Sequence, residues 1–499
     1  MRLREFAAKM KNVEVAGTED PSILGITSDS RQAGPGFVFA ALSGVREDGA
    51  AHIDEAVKKG AAALLLADVP KRNPGVPYMV AADVRKTLGE FAEIFYEYPS
   101  QSLQLVGITG TNGKTTTAYL LRHLFNRAGW RAGMLGTIEY DLGDRVEPAP
   151  LTTPDAVRFT RSLAEMRDFG CKAAVAEVSS HALDQQRVWP HRFAAAVFTN
   201  LTRDHLDYHG DMDAYLEAKR HLFLGLDGRA VAVLNFRDPA SGRMGQGTKA
   251  RILGYFLADS QDEKTPAAVP AQVARAEMVK SDLSGQTFRI LGGRLEREYR
   301  TPLVGRHNVE NCLGALLTGY GLGIPLHTLG EALADFPGVP GRLERLESGD
   351  GVTAFVDYSH TDGALRSVLS VLRPLVKGKL ITVFGCGGDR DAGKRPLMAK
   401  AAEEYSDRVV VTSDNPRTED PERILDDVMP GFAKPDRVTR EADRPAAVRI
   451  AAGMAQPGDA ILVAGKGHED YQIVGAEKRH MDDRELVRDA FAAVKRDKR

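Results

Sequence analysis

Apolar runs alternate with polar loops and helical segments along the whole chain. Each run is short, and most are followed by polar residues and then by a helical pattern. This order is typical of strands in the parallel sheets of α/β proteins. The strands predicted in this way cover 37–42, 62–66, 103–108, 173–178, 194–199, 230–235, 354–357, 379–384, 408–412 and 460–464.

Other segments interrupt this pattern. An alternating segment over 286–290, followed by two glycines and a second alternating run, predicts an antiparallel hairpin. Helices are predicted over 54–59, 118–127 and 308–320.

Tyr98-Pro99-Ser100 is interpreted as a linker, and Pro337–Gly341 is the clearest hinge signal. The predicted domains are therefore 1–102, 103–337 and 338–499.

Composition narrows the class of protein. The 499 residues suit about three domains of roughly 150 residues, and 43% of them are hydrophobic. A formal charge of −2 gives no sign of a nucleic-acid groove or a membrane surface. Three widely spaced cysteines and an N-terminus without an apolar core favour a reducing compartment. We expect a cytoplasmic monomer that neither binds nucleic acid nor inserts into a membrane.

The segment around Lys114 has the features of a phosphate-binding loop. An apolar strand leads into a glycine-rich loop and then into a helix, so that backbone amides and the helix N-terminus can surround phosphate oxygens. Lys114 would add a point charge, and the Thr115 hydroxyl could ligate Mg²⁺. The predicted nucleotide-binding residues are Gly110, Thr111, Asn112, Gly113, Lys114, Thr115 and Thr116.

Several motifs together resemble the Mur ligases, the ATP-dependent amino-acid-adding enzymes of peptidoglycan precursor synthesis. These motifs are Gly110–Thr116, Thr152-Thr153-Pro154, Glu177–His181, Asn200–Asp207, His307–Asn311, Gly341-Arg342 and Asp414–Arg417. The resemblance covers the chain and implies a three-domain α/β architecture with a central P-loop ATPase-like parallel sheet and a Rossmann-like C-terminal domain. It also implies an acid–amino-acid ligase that works through an acyl phosphate formed with ATP.

The resemblance implies a Mg²⁺ site formed by Thr115, Glu177, His205 and Lys219, with Lys219 carrying a carbamate. Together with Lys114, the last three would be the catalytic residues. From the residues alone, Glu177 could instead belong to a buried ion pair, and His205 could be a capping or core histidine. Lys219 could be any exposed helical lysine.

The implied acceptor is UDP-N-acetylmuramoyl-L-alanyl-D-glutamate. The matching positions carry hydroxyls, amides and a guanidinium, although each hydroxyl could instead belong to a turn or cap. They are Ser30, Asn112, Thr152, Thr153, Ser179, Gln185 and Arg187, and Ser28 is also predicted to contact the acceptor. Ser28, Leu151 and Val45-Arg46-Glu47 depart from the common family pattern.

Further ATP contacts are implied at Asn308, Arg342, Asp357 and His360. The last two follow a predicted strand, where they could instead cap the next helix. The loop departs from the usual family pattern at Ser359 and Asp362-Gly363.

The most discriminating motif is Asp414-Asn415-Pro416-Arg417. Among Mur ligases it resembles members that add meso-2,6-diaminopimelate, whose distal carboxylate suits a guanidinium and whose distal ammonium needs acceptors. Arg390, Gly465 and Glu469 match further contacts. Without the resemblance, the tetrapeptide Asp414-Asn415-Pro416-Arg417 would be interpreted as a solvated turn. The alternatives are another amide ligase, such as a D-alanyl-D-alanine-adding ligase or folylpolyglutamate synthase, or a noncatalytic nucleotide-binding regulator.

Overall fold

The computed structural model describes residues 1–10, 13–44, 48–259 and 272–497. The chain divides into two compact units. Unit 1 comprises Met1–Phe256, Asp262–Arg275 and Asn311–Ala332, and unit 2 comprises Leu257–Gln261, Ala276–Glu310 and Leu333–Arg499. Among the described residues no helix is long and apolar enough to cross a membrane. The three domain boundaries stay predictions, and each unit is described by itself.

Unit 1 begins with a five-stranded sheet in the order β1-β5-β4-β3-β2. Four strands are parallel, and β1 pairs antiparallel with β5 at one edge. Phe6 stacks on Phe91 in the core of this sheet, with 4.4 Å between ring centroids. The strands are β1 (Val13–Ala16), β2 (Gly25–Thr27), β3 (Phe37–Ala40), β4 (Ala63–Leu66) and β5 (Tyr78–Ala81).

Unit 1 also contains eight strands of a larger sheet, in the order β13-β12-β11-β6-β10-β7-β8-β9. The pairs from β13 to β7 are parallel, whereas β8 and β9 are antiparallel additions. The four predicted strands are confirmed to within one residue at each end. The strands are β6 (Gln104–Thr109), β7 (Ala132–Leu135), β8 (Glu139–Asp141), β9 (Val146–Pro148), β10 (Ala173–Glu177), β11 (Ala195–Phe198), β12 (Val231–Asn235) and β13 (Arg251–Leu257).

The helices of unit 1 differ from prediction in two places. The helix after the phosphate-binding loop begins at Lys114 rather than Ala118, because its first turn is polar and gives no apolar periodicity. The segment predicted as a linker at Tyr98-Pro99-Ser100 contains the start of a short helix, Pro99–Ser102, with proline at its first turn. The helices are Leu3–Lys9, Ile53–Lys58, Val84–Phe95, Pro99–Ser102, Lys114–Arg127, Ala156–Asp168, Ser180–Asp184, Leu206–His209, Met212–Leu224 and Ser241–Gly245.

Two helices and two strands contain residues of both units. They are Arg306–Gly321, Leu326–Ala334, β13, whose last residue Leu257 belongs to unit 2, and β14 (Val273–Asp282). The first covers the predicted helix over 308–320 and extends it at both ends.

Unit 2 contains a six-stranded sheet in the order β17-β18-β22-β19-β20-β21, parallel except for β17. It also has two antiparallel hairpins, β15 with β16, as predicted, and β23 with β24. The strands are β15 (Gly285–Leu291), β16 (Arg297–Thr301), β17 (Glu344–Glu347), β18 (Thr353–Asp357), β19 (Leu380–Cys386), β20 (Arg408–Ser413), β21 (Val438–Arg440), β22 (Ala460–Ala464), β23 (Tyr471–Val474) and β24 (Glu477–His480).

Five helices flank the sheet of unit 2. They are Asp362–Leu372, Lys394–Tyr405, Pro421–Val428, Arg444–Met454 and Asp483–Asp497. Because β18, β19, β20 and β22 are parallel neighbours, the loops at their carboxyl ends lie along one edge of the sheet. This is the edge at which open α/β sheets bind ligands.

Candidate active site

The phosphate-binding loop of unit 1 is shaped by two glycines. Gly110 has φ +151° and Gly113 has φ +85°, a region that favours glycine. A Cβ atom on Gly110 would lie 1.9 Å from Thr199 Oγ1, and one on Gly113 would lie 2.4 Å from Asn311 Oδ1. Side chains larger than hydrogen therefore cannot be accommodated without rearrangement of the loop.

Asn200, which follows β11, holds the phosphate-binding loop through its side-chain amide. Its Oδ1 accepts from the Asn112 amide at 2.9 Å, and its Nδ2 donates to the Asn112 carbonyl at 3.1 Å. Lys114 Nζ donates to the carbonyls of Gly110 and Thr111 at 2.9 and 2.8 Å. The loop is thus ordered by its own contacts, as a preorganised phosphate site requires.

Glu177 ends β10 and is almost fully buried. Its Oε2 accepts from the hydroxyls of Thr115 and Thr137 at 3.0 Å each, and its Oε1 accepts from the Thr137 amide at 2.8 Å. These donors are neutral, so the buried-ion-pair alternative does not describe the observed contacts. A buried carboxylate beside a threonine hydroxyl offers the oxygen ligands that Mg²⁺ prefers. Thr137 was missed because it lies 40 residues from Glu177.

Lys219 is buried, with 1% of the residue exposed. Its Nζ donates to the Gly110 carbonyl at 3.1 Å and lies 4.4 Å from the centroid of the Tyr215 ring. Burial lowers the pKa of Lys219 well below its ordinary value, and the nearby Lys114 cation lowers it further. The alternative of an exposed helical lysine is therefore wrong. An uncharged amine is the form that can take up CO₂.

His205 occupies the position before the helix Leu206–His209, with φ +52° and about half of its side chain exposed. It makes no side-chain capping bond there, so neither the capping nor the core alternative describes it. Its ring lies against His181 and Tyr215, at centroid distances of 4.9 and 6.1 Å. Tyr215 is thus a neighbour of both His205 and Lys219.

Two further histidines lie near His205: His181, which ends the motif Glu177–His181 but was not predicted as a site residue, and His209, which sequence reasoning missed. His181 lies 5.4 Å from His209, measured between ring centroids. Burial and the neighbouring histidines lower the pKa of His181. In the described part of the chain, no group of three or more histidine, cysteine, aspartate or glutamate residues could hold a metal ion. Any metal site here would have to be completed by other ligands.

Four of the predicted acceptor-binding residues of the central region, Thr153, Ser179, Gln185 and Arg187, form one network. Thr153 Oγ1 donates to the Glu177 carbonyl at 2.8 Å and accepts from the Ser179 amide at 3.0 Å. Arg187 Nη1 donates to the Thr153 carbonyl at 3.0 Å, and its Nε and Nη2 donate to Gln185 Oε1. Ser179 also caps the helix Ser180–Asp184, so the capping alternative applies there.

Thr152 joins this network, because its hydroxyl lies 3.1 Å from that of Thr137. In the N-terminal sheet, Ser30 Oγ donates to Glu55 at 2.7 Å in a turn that follows β2, whereas Ser28 is half-buried. Leu151 is exposed, and its carbonyl accepts from Tyr140 Oη at 2.5 Å. Val45-Arg46-Glu47 lies outside the described residues.

In unit 2, Asp357 ends β18 and is buried. It accepts from the Leu343 amide at 2.8 Å and from the amide and hydroxyl of Ser359. Burial raises the pKa of this carboxyl group. The capping alternative is wrong, because Thr361 caps the next helix.

The other predicted ATP contacts have different surroundings. The Arg342 guanidinium lies 5.1 Å from the centroid of the Tyr358 ring. His360 is exposed, and its Nδ1 lies 2.9 Å from the Tyr358 carbonyl. Asn308 is buried, and its Nδ2 donates to the Val304 carbonyl at 2.8 Å. Asp362 and Gly363 open the helix, and a Cβ on Gly363 would meet open space.

The Asp414–Arg417 segment is not a solvated turn. Asp414 and Asn415 are buried, and Arg417 is half-buried with φ +53°. Arg417 Nη1 donates to the Gly388 carbonyl at 2.7 Å, and Asn415 Nδ2 donates to Glu469 at 3.0 Å.

The remaining members of the predicted set lie at neighbouring strand ends. Gly465 has φ +120°, and a Cβ there would lie 2.6 Å from Asp414 Oδ2. Pro416 is buried, and Arg390 is exposed in the loop after β19. The structure therefore assembles Asp414, Asn415, Arg417, Gly465 and Glu469 at the carboxyl ends of β20 and β22.

A buried ion pair supports these two strand ends. Arg444 bonds both carboxylate oxygens of Asp483, at 2.6 and 2.7 Å, with both side chains fully buried. It also donates to the carbonyls of Ser413 and Ala464, at 3.2 and 3.0 Å. Sequence reasoning missed the pair because the partners lie 39 residues apart.

Three family models match the chain. They are the Mur ligase family catalytic domain over 22–96, the Mur ligase middle domain over 108–319 and the Mur ligase glutamate ligase domain over 341–467.

Curated relatives match nearly the whole length. The UDP-N-acetylmuramoyl-L-alanyl-D-glutamate–2,6-diaminopimelate ligase of Geobacter sulfurreducens is 42% identical, over 98% of this chain and 99% of the relative. The ligase of the same name from Synechococcus elongatus is 44% identical, over 95% of each.

Solved structures agree with these matches. One, of a ligase with that same name, is 34% identical with a TM-score of 0.71, covering 94% of this chain and 95% of that chain. A MurF ligase from Thermotoga maritima in complex with ADP has a TM-score of 0.56 at 18% identity, covering 94% and 96%. The latter likeness concerns the fold alone.

Proposed function

Because this chain belongs to the Mur ligase family, we propose that it joins meso-2,6-diaminopimelate to UDP-N-acetylmuramoyl-L-alanyl-D-glutamate with cleavage of ATP to ADP and phosphate, in peptidoglycan precursor synthesis. The observation that carries this choice is the segment Asp414–Arg417, in which Asp414 and Asn415 are buried and Asn415 is bonded to Glu469. It brings a guanidinium, an amide and two carboxylates to one sheet edge, a set that suits a second amino-carboxylate centre.

The proposed reaction has two steps. The acceptor carboxylate attacks the γ-phosphorus of ATP, the bond to the ADP oxygen breaks, and an acyl phosphate forms. The amine of diaminopimelate then attacks the acyl carbon, phosphate leaves, and a proton is lost from nitrogen as the amide forms. Positioning and charge neutralisation dominate such phosphoryl transfers. The loop Gly110–Thr116 would cradle the phosphates, and Lys114 would turn from the Gly110 and Thr111 carbonyls toward them.

The donor set also fits a divalent cation. The Thr115 hydroxyl and the Glu177 carboxylate are adjacent, at 3.0 Å. Lys219 is buried with a lowered pKa, so its neutral amine could add CO₂ and release a proton to give an anionic carbamate. These three groups and His205 would hold Mg²⁺, which when bound would neutralise phosphate charge.

We place the acceptor on the network of Thr152, Thr153, Ser179, Gln185 and Arg187, with Ser28, Ser30 and Asn112 as further contacts. The support is that the five network residues are linked to one another and to Glu177. Burial lowers the pKa of Arg187, and an anionic ligand would compensate the buried charge. Asn308, Arg342, Asp357 and His360 remain proposed ATP contacts. We further propose that the enzyme is a cytoplasmic monomer.

Phosphate release tests this function. The native protein is mixed with ATP and Mg²⁺, with and without the UDP-dipeptide, and with meso-diaminopimelate, L-lysine or D-alanyl-D-alanine. We expect release that requires both the UDP-dipeptide and meso-diaminopimelate. A noncatalytic regulator would release none, and another ligase would prefer another amine.

Arg417→Ala tests the pocket itself. Losing a charge-assisted pair from a partly desolvated site typically costs about 2–5 kcal/mol, so KM for diaminopimelate should rise roughly 30-fold or more. KM for ATP and for the UDP-dipeptide should stay within about twofold. Arg449→Ala, at an exposed arginine of the helix Arg444–Met454, is the matched control. Equal native efficiencies with L-lysine and diaminopimelate would contradict the assignment of Arg417.

A further inference from the structure

Lys466 is a fully buried lysine in the loop after β22. Its Nζ lies 3.4 Å from Asn415 Oδ1 and 3.4 Å from Glu469 Oε2, and it also donates to the Tyr471 carbonyl. These three acceptors come from the loop after β20, from the Lys466 loop itself and from the first residue of β23. One amine therefore joins three segments around the Asp414–Arg417 segment.

The contacts of Lys466 fix the orientation of the Asn415 amide. Asn415 Oδ1 accepts from Lys466 Nζ and from the Ile473 amide, the latter at 2.9 Å. Both donors are unambiguous, so the oxygen must face them and the nitrogen must face Glu469 Oε2, at 3.0 Å. Asn415 is thereby left with one further N–H, a donor and not an acceptor, to offer a ligand.

The third acceptor connects Lys466 to the hairpin of β23 and β24. This hairpin bonds directly to Arg417: the Arg417 amide donates to the Ile473 carbonyl at 3.0 Å, and the Gly475 amide donates to the Arg417 carbonyl at 2.6 Å. Gln472 Nε2 donates to the Asp414 carbonyl at 2.7 Å. These bonds hold Arg417 in its left-handed conformation, which is uncommon for a residue with a side chain.

A lysine amine has three N–H donors, and Lys466 faces three protein acceptors. No donor remains for a substrate. We propose that Lys466 is a positioning residue that presents Asn415, Glu469 and, through the hairpin, Arg417 in the arrangement that recognises the distal amino-carboxylate centre of the incoming amino acid. This inference rests on the proposed function and adds a residue to it.

The test is a double-mutant cycle read out by steady-state kinetics. Lys466→Met keeps an unbranched side chain of similar length and removes the three donors. We expect KM for meso-diaminopimelate to rise on the order of tenfold, as for the loss of buried charge-assisted bonds, while KM for ATP and for the UDP-dipeptide changes less than twofold. In an Asn415→Ala background, the same substitution should raise KM no more than about threefold, because one of its targets is gone.

The matched control is Lys478→Met. Lys478 is an exposed lysine of the same hairpin, with its Nζ 3.7 Å from the centroid of the Tyr471 ring. The Lys478→Met substitution should leave the KM values for meso-diaminopimelate, ATP and the UDP-dipeptide unchanged. If Lys466→Met does not fold, as judged by circular dichroism, Lys466→Gln replaces it in the cycle. Its amide keeps two of the three donors, so the rise in KM for meso-diaminopimelate should be smaller but still larger than the changes in KM for ATP and for the UDP-dipeptide.

The outcomes distinguish failure of the proposed function from failure of the positioning role of Lys466. If the native enzyme releases no phosphate in response to diaminopimelate, the proposed function fails and this inference fails with it. If the native enzyme is active and the Lys466 variant has an unchanged KM for diaminopimelate, or an equal rise in KM for all three substrates, only the positioning role is overturned. Full additivity in the cycle would likewise overturn it, because Lys466 would then not act through Asn415.

Discussion

At the residue scale, Lys219 differs from a surface lysine in its surroundings, since its amine is buried between the Gly110 carbonyl and the Tyr215 ring. If its role is to carry an anion for Mg²⁺, Lys219→Ala should lower kcat about 10²–10³-fold, the range for loss of one electrostatic stabiliser. Adding formate or acetate should restore part of the activity. Lys400→Ala, at an exposed helical lysine, should be silent. If Lys219→Ala retained the turnover of the native enzyme, the proposal that Lys219 carries a carbamate for Mg²⁺ would be refuted.

His468 supplies a second residue-scale prediction. Burial lowers its pKa to about 4, and the cations of Arg342 and Arg484 act in the same direction. In the unfolded chain, histidine binds its proton near pH 6.5. Between pH 4 and pH 6.5 the unfolded state therefore binds more protons than the folded state. The free energy of unfolding accordingly falls as the pH falls from about 6.5 toward 4.

The measurement compares thermal unfolding of the native protein and His468→Gln at pH 7 and pH 5. After allowance for the partial exposure of the ring, native stability should lose about 1 kcal/mol more than the variant between these pH values. A pH dependence that is identical in the two proteins would show that His468 has the same pKa in the folded and unfolded states.

What the sequence could predict at this scale follows from where residues lie along the chain. Glu177, Asp414 and Gly465 stand at the ends of apolar runs, so their strand-end positions could be predicted. Thr137, Lys466 and the pair Arg444–Asp483 could not, because their importance arises from partners 3 to 51 residues away or from burial alone. Burial also reversed the interpretation of Lys219, which a helical pattern alone would place on the surface.

At the scale of elements, apolar content decided which strands could be predicted. β10 and β22 are buried throughout and were found to within a residue. β24, Glu477–His480, is exposed at all four positions and has no apolar signal, so the hairpin that supports Arg417 was missed. The helix start at Lys114 was missed for the same reason, since its first turn, Lys114–Thr116, is polar.

The contact between two strand-end loops gives an element-scale prediction. In Gly465→Ala the new Cβ would lie 2.6 Å from Asp414 Oδ2, at a φ of +120°. We expect the Asp414 side chain to move, KM for diaminopimelate to rise about tenfold or more, and stability to fall by about 1–3 kcal/mol. Gly458→Ala, with φ +93° and open space around its Cβ, has the backbone cost without the collision. Equal KM values in the two variants would mean that the collision does not matter.

At the scale of the whole molecule, the proposed ligands fall on different units. The positions assigned to the UDP-dipeptide all lie in unit 1, whereas the amino-acid set of Arg390, Asp414–Arg417, Gly465 and Glu469 lies wholly in unit 2. A ligand stabilises the folded form that binds it by RT ln(1 + [L]/Kd), which is about 2.7 kcal/mol at 100 times Kd. For units of this size, that corresponds to roughly 5–10 °C in the unfolding midpoint.

Differential scanning calorimetry should therefore separate the two sites. If the units unfold in distinct transitions, the UDP-dipeptide should raise the midpoint of one and meso-diaminopimelate that of the other. Arg417→Ala should abolish the diaminopimelate shift and leave the UDP-dipeptide shift intact, and Arg187→Ala should do the reverse. Each variant thus serves as the control for the other, because each removes one guanidinium from one unit. If either variant lost both shifts, or if both ligands moved the same transition by the same amount in the native protein, the assignment of one substrate to each unit would be contradicted.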